Sequence, residues 1–199
     1  MNNPQKIIEC KNVFKAFSTK NGITNAVNGV NLSINKGECY GLVGESGCGK
    51  STLSSLICAL KKPDSGEILF EGTPVKDEKN FRRHCQIIFQ DPYSSLNPKK
   101  KIKSIIEEPL IIHKIGKTKL ERSKIINEMR TLVGLPPDSL EKFPHQLSGG
   151  QRQRVAIASA MILNPEFVIC DECVSALDVL IQAQILNLLK TMQKSMNLT

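Results

Sequence analysis

The sequence predicts an α/β fold with an antiparallel β segment at its N-terminus and an inserted helical segment. Three features of the 199 residues support this prediction. Short alternating apolar segments fill the beginning of the chain, a glycine-rich turn twice precedes a stretch of helical composition, and residues 92–163 carry apolar side chains three and four positions apart. A strand, a loop, a helix and a later strand with acidic residues at its carboxyl end are typical of α/β cores. We expect one domain, with a core over 1–91 and 164–199 and a helical part over 92–163.

The first half of the chain has the pattern of strands separated by turns. We expect strands at "KIIECKNVFKAF", "NAVNGVNLSIN" and "EILFEG". A Lys-Gly-Glu turn at 36–38 precedes "CYGLVG", a compact apolar segment that we predict to be a strand running into the first glycine loop. The following "STLSSLICAL" has helical composition and ends at the turn signal "KKPDSGE".

The second half is mainly helical in its pattern. Helical spacing predicts two buried helix faces in the inserted segment. They are formed by Ile102, Ile105, Ile106 and Leu110, and by Leu120, Ile125, Met129 and Leu132. The helix "QRQRVAIASAMIL" is expected to stop at Asn164 and Pro165, before a buried strand "FVIC" and a last helix "IQAQILNLLKTMQK".

The composition, 40% hydrophobic and 23% charged, is that of an ordinary globular protein. The net charge is +8, and residues 99–130 hold most of the excess, with ten basic and four acidic side chains. A solvated helical face, an anionic membrane surface or an acidic partner would each explain this segment. It lacks the interleaved aromatic residues that stack on bases, so we expect no nucleic-acid partner.

The cysteines and the apolar stretches exclude other classes of protein. Seven cysteines at irregular spacing, with no apolar signal segment before them, predict reduced thiols in the cytosol. Cys170 and Cys173 enclose an Asp-Glu pair without a second pair of ligands nearby, which disfavours a metal or redox site. The longest apolar stretch, 155–163, is much shorter than the roughly 20 residues of a membrane helix. We expect any work at a membrane to be done from outside the bilayer.

The first glycine cluster, "GESGCGKST", matches the phosphate-loop pattern G-x-x-x-x-G-K-[ST]. Its glycines let successive N–H groups surround the phosphates of a nucleotide, the following helix adds its positive end, and the Lys50 ammonium reaches the β- and γ-oxygens. The Ser51 hydroxyl would contact Mg²⁺. The nucleotide-binding residues predicted here are Gly44, Glu45, Ser46, Gly47, Cys48, Gly49, Lys50, Ser51 and Thr52.

The strand "FVIC" ends in Asp171 and Glu172. An acidic pair after four apolar residues is by itself a weak signal, but together with a phosphate loop it indicates a catalytic site. Asp171 can hold Mg²⁺ directly or through water, which leaves Glu172 free to polarise an attacking water.

The second glycine cluster, "LSGGQRQR" at 147–154, also precedes a helix and offers N–H groups to an anion. A nucleotide at 44–52 has an outward-facing γ-phosphate, and the second turn has no ligand of its own, which suggests that it serves a neighbouring molecule's nucleotide. With the other two motifs, this cluster resembles the ATP-binding subunit of ATP-binding cassette (ABC) transporters over essentially the whole chain. The resemblance implies a P-loop NTPase core and two subunits packed head to tail. Each ATP would lie between one phosphate loop and the partner's Ser148, Gly149, Gly150 and Gln151.

The resemblance also implies roles for single side chains. Phe17 matches the aromatic residue that stacks on adenine, although a half-buried strand aromatic would look the same in the sequence. Gln90 matches a glutamine that touches Mg²⁺ and the attacking water and relays the nucleotide state to the membrane subunit. Asp178, in "SALD", matches the carboxylate of a loop that crosses the dimer interface. The implied catalytic residues are Glu172, Gln90 and Lys50, and the implied Mg²⁺ ligands are Ser51, Gln90 and Asp171.

Three stretches resemble the bacterial importers of oligopeptides, dipeptides and nickel: "FQDPYSSLNP", "FPHQLSGGQRQR" and "SALDVLIQAQILNLL". Peptide is the preferred cargo. This resemblance implies a second ATPase subunit, two transmembrane permease subunits and, indirectly, an extracytoplasmic solute-binding protein. It places the chain at the cytoplasmic face of the membrane as a peripheral subunit.

The chain departs from the family pattern at three places. Cys173 replaces a proline and Leu180 replaces a serine, with little expected effect on the chemistry. The family's switch histidine, which contacts the γ-phosphate, lies on a strand that should follow "MQKSMNLT", so we expect a fragment with an impaired site. Two alternatives therefore stay open: a non-transport cassette ATPase that acts on ribosomes or DNA, and a truncated cassette that binds nucleotide without hydrolysing it.

Overall fold

An antiparallel sheet forms the N-terminal part of the chain. The computed structural model describes residues 5–19, 22–75 and 78–199. The four strands are β1 (Lys6–Thr19), β2 (Gly22–Asn35), β3 (Ser65–Phe70) and β4 (Thr73–Pro74). Their order in the sheet is β2-β1-β3-β4. Strand β1 pairs with β2 along its length, with several register shifts, and with β3 from Ile8 to Phe14.

A second, parallel sheet carries the acidic residues. It consists of β5 (Cys85–Ile88) and β6 (Phe167–Cys170), so the predicted strand "FVIC" is confirmed. Ile88 pairs with Cys170, and the two strands therefore end side by side. The residues that follow them, 89–91 and 171–173, meet at this edge of the sheet.

Seven α-helices lie in the described part of the chain, and several begin where a side chain caps the backbone. The Thr118 hydroxyl accepts from the Glu121 N–H at 3.1 Å, which satisfies a first-turn donor of the helix Lys119–Leu132. No helix among the described residues is long and apolar enough to cross a membrane. The helices are α1 (Lys50–Ile57), α2 (Glu78–His84), α3 (Pro92–Ser95), α4 (Ile102–Ile112), α5 (Lys119–Leu132), α6 (Gly149–Met161) and α7 (Val179–Met196). Two 3₁₀ turns, Pro137–Glu141 and Pro144–Gln146, precede α6.

The described residues form two apolar cores. One lies under the antiparallel sheet and α1 and includes Ile7, Ile8 and Leu56. The other joins α4, α5, α6 and α7 and includes Ile106 and Ile157. The predicted α/β fold with its inserted helices is confirmed by this arrangement.

The segment "CYGLVG" is not a strand, and this prediction was wrong. Residues 39–45 have no regular structure, and Val43 is 93% exposed. A groove of about 620 Å³, lined by Tyr40, Leu42, Val168 and Leu189 among others, separates this segment from β6. An apolar segment becomes a strand only when a neighbouring backbone pairs with it, and in the described structure β6 does not.

The buried face of α5 differs from the prediction. Ile126 and Met129 are its buried residues, whereas Leu120 is 82% exposed and Leu132 is 44% exposed. Ile126, Met129 and the following Val133 lie three and four positions apart and share one face, on which Val133 is fully buried. Leu120 and Leu132 fall outside this face.

Candidate nucleotide-binding site

The phosphate loop, residues 44–50, enters α1 through a glycine that no other residue can replace without strain. Gly49 is the N-cap of α1, with φ +98°, and a Cβ there would lie 2.0 Å from the carbonyl oxygen of Ala26. The left-handed backbone and the close approach to β2 both require glycine. This packing fixes the start of α1, whose first N–H groups have no acceptor within the helix.

The Lys50 side chain folds back into this loop. Its ammonium donates to the carbonyl oxygens of Gly44, at 2.8 Å, and Glu45, at 2.7 Å. Anionic phosphate oxygens are stronger acceptors for an ammonium than these neutral carbonyls. The oxygens of a phosphate in the loop would therefore replace these carbonyls as acceptors for the Lys50 ammonium.

Ser51 and Asp171, predicted as Mg²⁺ ligands, are in contact. The Ser51 hydroxyl donates to Oδ1 of Asp171 at 3.2 Å, although 120 residues separate them. A hydroxyl and a carboxylate oxygen side by side are typical ligands of Mg²⁺, which binds few protein oxygens together with phosphate oxygens and water. The described residues contain no cluster of three or more His, Cys, Asp and Glu side chains suited to a metal.

Gln90 and Glu172 are also in contact, at the carboxyl ends of β5 and β6. The Gln90 amide Nε2 donates to Oε2 of Glu172 at 2.9 Å and to the Ser175 hydroxyl at 3.2 Å. Glu172 has φ +48°, which is uncommon for a residue with a Cβ. The chain turns there, so that Asp171 and Glu172 direct their carboxylates to different neighbours, Ser51 and Gln90.

In the Ser148–Gly150 turn at the start of α6, Ser148 and Gln151 hydrogen-bond to each other. The Ser148 hydroxyl accepts from the Gln151 N–H at 3.3 Å, and the Ser148 N–H donates to Oε1 of Gln151 at 3.1 Å. This reciprocal capping box fixes the first turn of the helix. No hydrogen bond or ion pair among the described residues joins the turn to residues 44–52 or to Glu172.

Phe17 lies on β1 beside two lysines. The ammonium of Lys61 is 4.8 Å from the centre of the ring and that of Lys15 is 5.8 Å from it, within the range of cation–π contacts. Asp64 holds this part of β1, because its carboxylate accepts from the Ala16 N–H at 2.7 Å and from Lys15. These two hydrogen bonds, the backbone one first, lower the pKa of Asp64.

Asp178 caps α7. Its Oδ1 accepts from the Ile181 N–H at 3.0 Å, which gives this predicted interface residue a structural function inside the subunit. The sequence did not point to the hydroxyl of Ser175 as a partner of Gln90, nor to Lys61 as a neighbour of Phe17. Both contacts join residues far apart in the chain, and a single sequence carries no signal for them.

Together, the phosphate loop, the Ser51–Asp171 contact and the Gln90–Glu172 contact define a nucleoside-triphosphate-binding domain of the P-loop class. The profile of the ABC transporter family matches residues 27–175. The chain belongs to the ABC transporter family. The resemblance found in the three motifs is thereby confirmed.

Curated relatives carry names from peptide transport. The chain is 48% identical over 201 residues to the oligopeptide transport ATP-binding protein OppF of Bacillus subtilis (strain 168), covering 98% of this chain and 66% of the relative. It is 46% identical over 209 residues to the dipeptide transport ATP-binding protein DppF of Lactococcus lactis subsp. cremoris (strain MG1363), covering 100% of this chain and 66% of the relative. The chain thus spans just under two thirds of the length of these relatives.

Solved structures of ATP-binding cassettes share the fold. A dimeric post-hydrolysis state of the cassette MJ0796, bound to ADP and Pi, is 33% identical with a TM-score of 0.84, and the match covers 95% of this chain and 84% of that one. The cassette cbiO1 from Clostridium perfringens, part of the transporter complex cbiONQ, is 30% identical with a TM-score of 0.82, covering 98% of this chain and 76% of that one.

Proposed function

We propose that this chain is the ATP-binding and ATP-hydrolysing subunit of a bacterial importer of oligopeptides or dipeptides. The observation that supports this most is the contact of Gln90 with Glu172 beside the contact of Ser51 with Asp171, at the point where the phosphate loop ends. Groups for phosphate binding, metal binding and proton transfer meet there. The names of the relatives support peptide as the cargo.

The triphosphate of ATP would bind over residues 44–52, with Lys50 moving from the loop carbonyls to the β- and γ-oxygens. Ser51, Asp171 and Gln90 would hold Mg²⁺, and their oxygens suit this ion. When bound, Mg²⁺ neutralises charge on the β- and γ-phosphoryl oxygens. Phe17 would stack on the adenine ring, with Lys61 next to it.

Hydrolysis would use Glu172 as the general base. A water attacks the γ-phosphorus in line with the bond to the β–γ bridging oxygen, that bond breaks, and the proton of the water passes to the Glu172 carboxylate. The hydrogen bond from Gln90 to Oε2 orients this carboxylate and leaves its other oxygen for the water. The Ser175 hydroxyl holds the Gln90 amide from the other side.

The Ser148–Gly150 turn would bind the γ-phosphate of a second subunit. Two observations support this arrangement: the turn has no bond to the phosphate loop of its own chain, and the similar cassette MJ0796 is a dimer with ADP and Pi. The loop that ends at Asp178 would lie at the same interface. In this proposal the helical part, residues 92–163, carries the turn, and the core, residues 1–91 and 164–199, carries the phosphate loop.

Transport would couple this dimer to two membrane permease subunits at the cytoplasmic face of the membrane. The basic segment 99–130 fits a solvated surface, because several of its charges are already paired with carboxylates. The pairs are Lys100 with Glu108, Lys101 with Glu141, and Arg122 with Glu107. No feature of the surface formed by residues 99–130 favours a nucleic-acid partner.

Uptake measurements test the proposal. Cells that lack the gene should fail to accumulate a labelled tripeptide, and the wild-type gene should restore uptake while a Lys50→Ala variant should not. Uptake of radioactive nickel in the same strains is the matched control and should be unchanged. Loss of nickel uptake with normal peptide uptake would contradict the cargo, and normal uptake of both with Lys50→Ala would contradict the role in transport.

A further inference from the structure

Arg152 contacts two elements that the proposed mechanism treats separately. It lies on α6, four residues after Ser148, and its Nη1 donates to the carbonyl oxygen of Leu147 at 3.0 Å, directly before the Ser148–Gly150 turn. Its guanidinium carbon lies 5.5 Å from the centre of the Tyr93 ring, on α3. A guanidinium over an aromatic face at this distance is a cation–π contact.

The other end of this contact belongs to the loop that carries Gln90. Asp91 follows Gln90 and caps α3, accepting from the N–H groups of Tyr93 at 2.9 Å and Ser94 at 3.3 Å. Arg152 therefore connects the start of α6 to α3, the helix that follows the Gln90 loop.

The contacts continue to the proposed base. Arg152 contacts Leu147 and Tyr93, the Tyr93 N–H donates to Asp91, and the neighbouring Gln90 donates to Glu172. The turn proposed to bind the partner's ATP and the carboxylate proposed to act on the chain's own ATP are thus linked within one subunit. We propose that Arg152 is a positioning residue that couples the Ser148–Gly150 turn to the Gln90 loop. This inference rests on the proposed function for its catalytic consequence, although its structural part does not.

Arg154 shows what an arginine on the same helix does without this contact. Its Nη1 donates to the Val133 carbonyl at 2.6 Å and its Nη2 to Gln184 at 3.2 Å, so it connects α6 to the end of α5 and to α7. Arg152 has no carboxylate within ion-pair distance among the described residues. Its Nε is buried and has no hydrogen-bond partner among the described residues. The contacts that position the side chain are therefore the hydrogen bond to Leu147 and the cation–π contact with Tyr93.

Amide hydrogen exchange of the nucleotide-free chain tests the structural part. Tyr93→Leu changes a side chain of an exposed residue on α3, and we expect it to speed exchange at 147–151 by about 3- to 10-fold, the size expected from losing a cation–π contact. Arg152→Met should speed exchange at 91–95 to a similar degree. Arg154→Met, the matched control, should leave 91–95 unchanged. Equal exchange at 147–151 in Tyr93→Leu and the wild type would overturn the coupling. Because the Tyr93 side chain is exposed, we expect this variant to stay folded.

Steady-state ATP hydrolysis tests the catalytic consequence. Arg152→Met should lower kcat by about 5- to 10-fold through misplacement of the turn and of Gln90, while the affinity of the isolated subunit for a fluorescent ATP analogue changes by less than about 2-fold. Arg152→Lys keeps the charge but not the planar fork and should give an intermediate kcat. The double variant Arg152→Met, Tyr93→Leu should lose no more kcat than the more impaired single variant. Additive losses of kcat would contradict a shared role. If the wild type hydrolyses no ATP, the proposed function fails while the exchange result still decides the coupling.

Discussion

The phosphate loop and the Ser148–Gly150 turn are both glycine-rich segments at a helix N-terminus, but their polar groups bond to different neighbours. In the first, Lys50 and Ser51 bond to the loop itself and to Asp171 across the sheet edge. In the second, the Ser148 hydroxyl is used to cap its own helix. The first brings together groups that would hold a nucleotide and a metal, whereas the second offers backbone donors in a fixed position. The difference supports the proposal that the turn binds a ligand brought by another subunit.

The largest effect is expected at Glu172, the proposed general base. Glu172→Gln keeps the shape and the contact with Gln90 but removes the proposed base, so turnover should fall by about 10²- to 10⁴-fold, or roughly 3 to 5 kcal/mol in activation free energy. The affinity for ATP should stay within about 2-fold, because Lys50 and the loop amides are untouched. Phosphate release and nucleotide titration measure the two quantities. Glu128→Gln, on the exposed face of α5, is the control, and an unchanged turnover in Glu172→Gln would remove the base from the mechanism.

Complementation between two inactive variants tests whether the turn acts across subunits. Ser148→Arg blocks the turn and Lys50→Ala disables the phosphate loop, so each pure dimer should be inactive. In a mixed dimer, a turn that acts on the partner's ATP leaves one site with both parts intact. Single-turnover phosphate release should then return to about one quarter of the wild-type amplitude, because half of the dimers are mixed and each has one intact site. If the turn acts on its own chain, the mixture stays inactive.

Much of the first site could be predicted from the sequence because its groups lie in short motifs. The order strand, glycine loop and helix, and the acidic pair after "FVIC", depend on local chemistry that neighbouring residues determine. The failure at "CYGLVG" has the opposite cause: residues 39–45 have strand composition, but a strand requires a paired backbone, and none of the described residues pairs with them. The contacts of Gln90 with Ser175, and of Arg152 with Tyr93, depend in the same way on packing between elements that are distant in sequence.

Two adjacent glycines show how packing fixes the second turn. A Cβ at Gly150 would lie 2.8 Å from Cγ2 of Ile181 on α7, whereas one at Gly149 would meet Leu177 only at an ordinary 3.6 Å. Gly150→Ala should therefore destabilise the chain by about 1–3 kcal/mol, as overpacking does, while Gly149→Ala should change its stability by less than about 1 kcal/mol. Urea unfolding measures both. Adding Ile181→Ala should make Gly150→Ala nearly harmless, and equal stabilities of the two alanine variants would show that α7 does not hold the turn.

The smallest effect concerns the ion pairs at the start of β6, the strand that Asp171 and Glu172 follow. Lys36 lies 3.0 Å from Glu71 and 2.7 Å from Glu166, and the hydrogen bond from Lys36 is the largest cause of the lowered pKa of Glu166. Because folding lowers this pKa, the stabilisation is present above the ordinary value of 4.5 and is lost as the pH falls through the lower folded value. Lys36→Met should cost less than about 1 kcal/mol at pH 7, since these groups are about one third exposed, and the cost should shrink at acidic pH. Lys62→Met, which removes a largely exposed partner of Glu78, should cost almost nothing at either pH. A cost for Lys36→Met that is the same at neutral and acidic pH would mean that this lysine stabilises the sheet through its packing and not through its ion pairs.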